Sequence, residues 1–264
     1  MKPRWPSRMA WLGALLGLAA ALLLFAPSRW LAQAVSSATS GQLQLVNTRG
    51  TVWRGQADLL LTGGEGSQTR ASLPQGVRWR LSPTLLGGLP AMALELTAPC
   101  CTPQPMAMTL QPHFGGAELR LAAARSRWPA DLLMGLGTPW NTLRMEGLLS
   151  LQTDGLSLRW AGGRGSLQGA LALEAQDLAS RLSTLRPLGS YRMDLRTDAE
   201  GRNTSLSLRT LHGRLRLQGE GQWVGGRLRF SGVAEAAPDS EAALANLLNI
   251  IGRRQGPRSL LNIG

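Results

Sequence analysis

The chain has 264 residues, 44% of them hydrophobic and 17% charged, enough apolar material for one large or two small cores and too much for a disordered polypeptide. Its 28 basic residues against 16 acidic ones give a formal charge of +12, and every basic residue except Lys2 is an arginine. The arginines alternate along strand-like runs instead of clustering beside exposed aromatics, which argues against nucleic acid and leaves acidic partners or anionic headgroups.

Residues 9–26, "MAWLGALLGLAAALLLFA", are 18 uncharged residues, a helix of about 27 Å that would serve as one transmembrane anchor. Lys2, Arg4 and Arg8 precede it, so residues 1–8 are expected in the cytoplasm and the bulk outside it. Trp5, Trp11 and Trp30 would suit the two interfaces. A cleaved signal peptide competes, since "AQA" at 32–34 fits a small-residue cleavage pattern; the length of the apolar run favours an uncleaved anchor. Residues 27–40 then read as a linker, and 41–264 as an exported β-rich domain.

Within that domain, period-two patterns recur almost to the end. Leu43 and Leu45 open one strand, Ala57, Leu59 and Leu61 a second, and Val77, Trp79 and Leu81 a third. Met106, Met108 and Leu110 follow, then Leu119, Leu121 and Ala123. Leu149 and Leu151 are expected to meet Leu156, Leu158 and Trp160 across an Asp154-Gly155 hairpin turn. Leu167 to Ala175 make the next strand, and Tyr191, Met193 and Leu195 return through Leu206 and Leu208 after a turn near Glu200-Gly201. In "GRLRLQGEGQWVGGRLRFSGVAEA", 213–236, Leu215, Leu217, Gly219, Gly221 and Trp223 share one face, and Leu228, Phe230, Gly232 and Ala234 resume it beyond Gly225-Gly226. Glycines confined to the apolar face let a sheet bend or another backbone approach. The fold class expected is therefore mainly β: one N-terminal transmembrane helix, then a curved, mainly antiparallel sheet, closed as a sandwich or open as a groove, with a few short helices.

Three helices are expected: 128–137, with Pro129 in its first turn; 177–186, capped by Asp177; and 239–254, whose Leu244, Leu247, Leu248 and Ile251 form an apolar stripe that would cover an open edge or mouth of the sheet.

Chemistry is sparse. His113 and His212 stand alone, with no metal-ligand spacing beside them, and no G-x-S-x-G elbow occurs. Glu65, Glu95, Glu118, Glu146, Asp154 and Glu174 are dispersed singly, and the glycine tracts at 162–169 and 219–225 lack phosphate-loop spacing. No catalytic residue, cofactor or metal site is expected. Adjacent Cys100 and Cys101 read either as a vicinal disulfide in an oxidising compartment or as two buried thiols. Trp53, in "GTVWRG", and Trp140, in "GTPWNT", are the tryptophans singled out as partner contacts.

The stretches "GTVWRGQADLLL", "GVRWRLSPTLLGGLPAMALEL", "GLGTPWNTLRMEGLLSLQTDGL", "DLASRLSTLRPLGSYRMDL", "LRTLHGRLRLQGEGQW" and "LLNIIGRR", in that order over most of 41–254, resemble protein N of the bacterial type II (general) secretion system. The resemblance implies a non-enzymatic accessory subunit of the inner membrane, with the secretin or inner-membrane platform proteins as partners and no catalytic residues to assign. A second function class stays open: a lipid-handling protein whose apolar groove takes acyl chains, as AsmA-like or lipopolysaccharide-transport proteins do. An outer-membrane barrel ranks last, since no aromatic girdles are found and a spanning helix is not a barrel feature.

Overall fold

The computed structural model describes residues 8–63, 69–162, 164–198, 203–224 and 227–264. Outside them lie Lys2, Arg4, Trp5, Glu65 and the expected turns at Glu200-Gly201 and Gly225-Gly226. Two helices lead the chain, α1 (Arg8–Leu24) and α2 (Ser28–Ala38). Five strands follow: β1 (Leu43–Gly50), β2 (Arg54–Thr62), β3 (Arg70–Ser72), β4 (Val77–Leu86) and β5 (Leu89–Thr97). Next come β6 (Met106–His113), β7 (Gly116–Leu121) and β8 (Ala124–Pro129), a 3-10 helix (Ala130–Leu136) and α3 (Trp140–Leu143). The second half holds β9 (Met145–Ala161), β10 (Arg164–Ser180), β11 (Gly189–Thr197), β12 (Thr204–Gly213), β13 (Leu215–Val224) and β14 (Arg227–Ala236). It ends with α4 (Glu241–Ile251), β15 (Arg253–Gln255) and β16 (Arg258–Ile263).

All sixteen strands join one curved sheet in the order β1-β2-β4-β5-β6-β7-β9-β10-β11-β12-β13-β14-β16-β15, and every pair is antiparallel. Strands β3 and β8 lie off this path as parts of interrupted strands: β3 and β4 share partner β2, and β7 and β8 share partner β9. Because the chain meanders, connections alternate between two ends. The upper end carries Thr51–Trp53, Gly87-Gly88, Phe114-Gly115 and the paired strand ends Thr197/Thr204 and Val224/Arg227. The lower end carries the cysteine loop, the 3-10 helix, α3, residues 181–188 and α4.

Both apolar cores sit toward the lower end. The larger gathers Leu143, Met145, Leu149, Leu178, Leu188, Tyr191 and Leu215 under Leu244, Leu247 and Leu248 of α4. The smaller joins Ala71, Leu73, Val77, Ala98, Cys101 and Leu132. Each wholly buried leucine contributes about 1.5–3 kcal/mol, so the α4 stripe fixes this end firmly. Buried Ser259 Oγ donates to the Leu248 carbonyl at 2.6 Å and ties α4 to β16.

Glycine in the sheet is covered by aromatic rings. The register pairs Gly221 with Phe230 and Gly219 with Gly232, so the parity of 213–236 holds. A Cβ on Gly219 would collide with the Phe230 ring, and one on Gly232 would stand 3.0 Å from its Cε1. Trp79 lies on Gly55, its cross-strand partner, in the same way. Ring on glycine restores the apolar burial that the missing side chains forfeit, while leaving room for close packing.

Two expectations are corrected. Asp154-Gly155 is not a hairpin turn: β9 runs unbroken for 17 residues, and the register skips from Gly155 opposite Ala170 to Thr153 opposite Leu171, leaving Asp154 as the extra residue of a bulge. The dipeptide supplies a positive φ, 140° at Gly155, which a bulge uses as readily as a turn. Residues 177–186 are not a helix. Asp177 sits at φ 49° in a bulge of β10, and its N–H donates to Ser190 Oγ at 2.9 Å instead of its carboxylate capping a helix. The linker 27–40 is largely α2, which packs along β1. The described part of α1 has 17 residues and ends at Leu24, and among the described residues no helix is long and apolar enough to cross a membrane. Pro27 stands at the start of α2 and separates the two helices.

Candidate functional site

Above the two cores, no element among the described residues forms a second layer on the apolar face of the sheet. Cross-strand register sets its side chains in rows: Leu94, Met108, Leu121 and Leu156 form one, and Met92, Leu110, Leu119, Leu158 and Leu167 the next. The surface continues through Leu171, Leu195 and Leu206. Most of these side chains are half-buried, and Leu110, Trp160 and Trp223 are 43%, 44% and 44% exposed. A contiguous half-exposed apolar surface of this extent is characteristic of a binding site. The face is thus closed at its lower end and open at its upper end.

The opposite face is polar and paired. Glu118 is 3% exposed despite lying on that face, because Arg120 Nε donates to its Oε1 at 2.6 Å and Arg159 Nη2 to its Oε2 at 2.9 Å. The Arg120 hydrogen bond, then that of Arg159, holds the Glu118 carboxyl down from its usual 4.5 to about 2. Arg192 likewise bridges Asp194 and Glu174, and its hydrogen bonds lower the Asp194 carboxyl. Burial pushes the Tyr191 phenol up, and its hydroxyl donates to the Leu215 carbonyl at 3.0 Å. Each of these groups is committed to a structural partner. Among the described residues, no group of three or more His, Cys, Asp or Glu is placed to hold a metal ion.

Trp53 and Trp140 lie at opposite ends of the sheet. Trp53 is half-buried in the β1–β2 turn, where its Nε1–H donates to the Leu23 carbonyl at 2.7 Å. Around it, Val52 N–H donates to the Ala26 carbonyl, Trp79 Nε1–H to the Val52 carbonyl and Leu81 N–H to the Trp53 carbonyl. These bonds fasten the end of α1 to the sheet. Trp140 starts α3 at the lower end and is 37% exposed. Cys100 and Cys101 are joined to each other by a disulfide; Cys101 is buried in the smaller core and Cys100 is exposed.

A family model described as type II secretion system (T2SS), protein N, matches residues 41–260. The chain belongs to this family. The matched span runs from just before β1 into β16, so the family region and the meandering sheet coincide, and α1 and α2 precede it. Neither a curated protein nor a solved structure matches the chain. As a protein N family member, it is a component of the type II secretion system.

Proposed function

We propose that this protein is an accessory inner-membrane subunit that supports export of folded proteins across the outer membrane by scaffolding other secretion subunits, the secretin or the inner-membrane platform. In this reading residues 1–8 are cytoplasmic, 9–26 anchor the chain, 27–40 connect, and 41–264 form a periplasmic domain. The observation that carries it is the open apolar face, on which a partner's apolar surface can dock while arginines of the polar face steer acidic surfaces.

Support for the anchor comes from α1, whose Leu12, Leu15, Leu16, Leu22 and Leu23 are each more than half exposed. The 17 described residues of α1 rise about 26 Å, close to the thickness of about 30 Å of the hydrocarbon core.

The same open face favours a second reading, in which acyl chains occupy it and the protein handles lipid. Affinity purification from the native membrane, with proteomics and lipid mass spectrometry on one sample, separates the two. Secretin or platform subunits without stoichiometric lipid support the scaffold. Bound lipid without those subunits replaces it with the groove.

A further inference from the structure

We propose that the upper tips of the β4–β5 and β6–β7 hairpins dip into the interfacial layer of the bilayer that α1 enters; this rests on reading α1 as the anchor. Residues 81–94 carry no charge, between Arg80 and Glu95, whose side chains pair at 3.6 Å and close the uncharged segment. In the neighbouring hairpin, residues 106–117 carry no charged residue apart from His113 as a titratable group. Both segments lie at the end of the sheet where α1 attaches.

The level of the bilayer follows from the joint. Leu81 N–H donates to the Trp53 carbonyl at 2.7 Å, and Trp53 in turn holds the last turn of α1. Beyond Leu81, β4 runs five residues further to Leu86, about 17 Å, with no pairing to β2. What protrudes is apolar: Leu85 is 71% exposed, Leu89 54%, and Phe114 fully. Between them Pro83, Leu85, Pro90, Met92 and Pro112 line a hollow of about 350 Å3. Charged tips would keep the sheet in water; besides backbone these have only the side chains of Ser82, Thr84, Thr109 and His113 to desolvate, since the Gln111 amide already donates to the Leu86 carbonyl.

That backbone also sets the depth. Among the described residues the outer edge of β4 beyond Leu81 has no partner strand, and an unpaired edge is not tolerated in the hydrocarbon core. Insertion therefore stops in the headgroup layer, where water still reaches the edge. Trp160 and Trp223, on later hairpins at the same end, have the amphipathic rings favoured at that depth.

The test uses the full chain reconstituted in phosphatidylethanolamine–phosphatidylglycerol vesicles, with an environment-sensitive fluorophore on a single introduced cysteine and nitroxide lipids as quenchers. Labels go on Leu85→Cys and Phe114→Cys at the tips, Leu16→Cys in α1, and Ile250→Cys, an exposed apolar position of α4 at the other end. The proposal expects loss of emission at the two tips and at Leu16, with shallow quenchers more effective than deep ones at the tips, and no loss at Ile250. Quenching at Leu16 without quenching at either tip overturns it and leaves the anchor reading standing. Absence of quenching at Leu16 removes the anchor reading and the proposal with it. Tips that become shielded only when other secretion subunits are co-reconstituted also overturn it, assigning the patch to protein.

Discussion

Trp53 donates its indole N–H to the backbone carbonyl of Leu23, 30 residues earlier in the chain, at 2.7 Å. The last carbonyls of a helix have no partner within it, and here a side chain from the sheet supplies one. The helix is thereby oriented by the domain instead of swinging on a linker. Replacing Trp53 with Phe keeps the ring and removes the donor, a net loss of about 1 kcal/mol. The Val52 amide, bonded to the Ala26 carbonyl, should then exchange with deuterium roughly fivefold faster. Amides of the α4 core should keep their protection, since the change lies at the other end of the sheet.

The glycine-on-ring arrangement makes a stability prediction with a definite sign. Gly219→Val improves strand propensity yet drives a side chain into Phe230. Overpacking should prevail, costing about 1–3 kcal/mol in urea unfolding followed by tryptophan fluorescence. Phe230→Ala, which uncovers three glycines, should cost about 3–5 kcal/mol.

Glu118 gives a pH dependence. Its carboxyl titrates near 2 when folded against 4.5 ordinarily, so the ionised form stabilises the fold fully above 4.5, and the contribution fades as pH falls from 4.5 through about 2. Glu118→Gln should therefore be less stable at neutral pH by about 1 kcal/mol, with the gap closing over that window. Because Arg120 and Arg159 are both near half exposed, added salt should narrow the gap as well.

Parity was the most legible property of the sequence. Leu215 to Trp223 and Leu228 to Ala234 alternate so strictly that the register of β13 on β14 follows from the pattern. Local signals with two structural uses were not legible. A positive φ at Asp154-Gly155 suits a turn or a bulge, and only the partner strand decides between them. The polar-apolar spacing of 177–186 suits a helix until the bulge at Asp177 and the packing of Leu182 and Leu185 on the core are known. Strand β5 is not legible in the sequence, because Pro90, Ala91 and Ala93 give little contrast between its faces. As for the site, its residues could be named from parity, but whether they are covered depends on where α4 packs, which is a tertiary fact.

Trp140 remains a proposed partner contact, exposed at the lower end beside the 3-10 helix. Trp140→Ala should leave the unfolding free energy measured in urea within about 0.5 kcal/mol of the parent, as for a surface site, and reduce export of a type II exoprotein. Unchanged export with an unchanged fold would remove the residue from the interface.

The central claim is that the open apolar face is the working surface. Leu119 and Leu158 face each other across β7 and β9 in its middle, half-exposed and outside both cores. Replacing them together as Leu119→Lys and Leu158→Asp keeps a complementary cross-strand pair and makes the face polar. In a strain lacking the native copy, export of a folded exoprotein should fall to the level of the empty strain while the variant accumulates, membrane-bound and protease-resistant, at parental levels. Export at the parental rate from that folded variant would contradict the account.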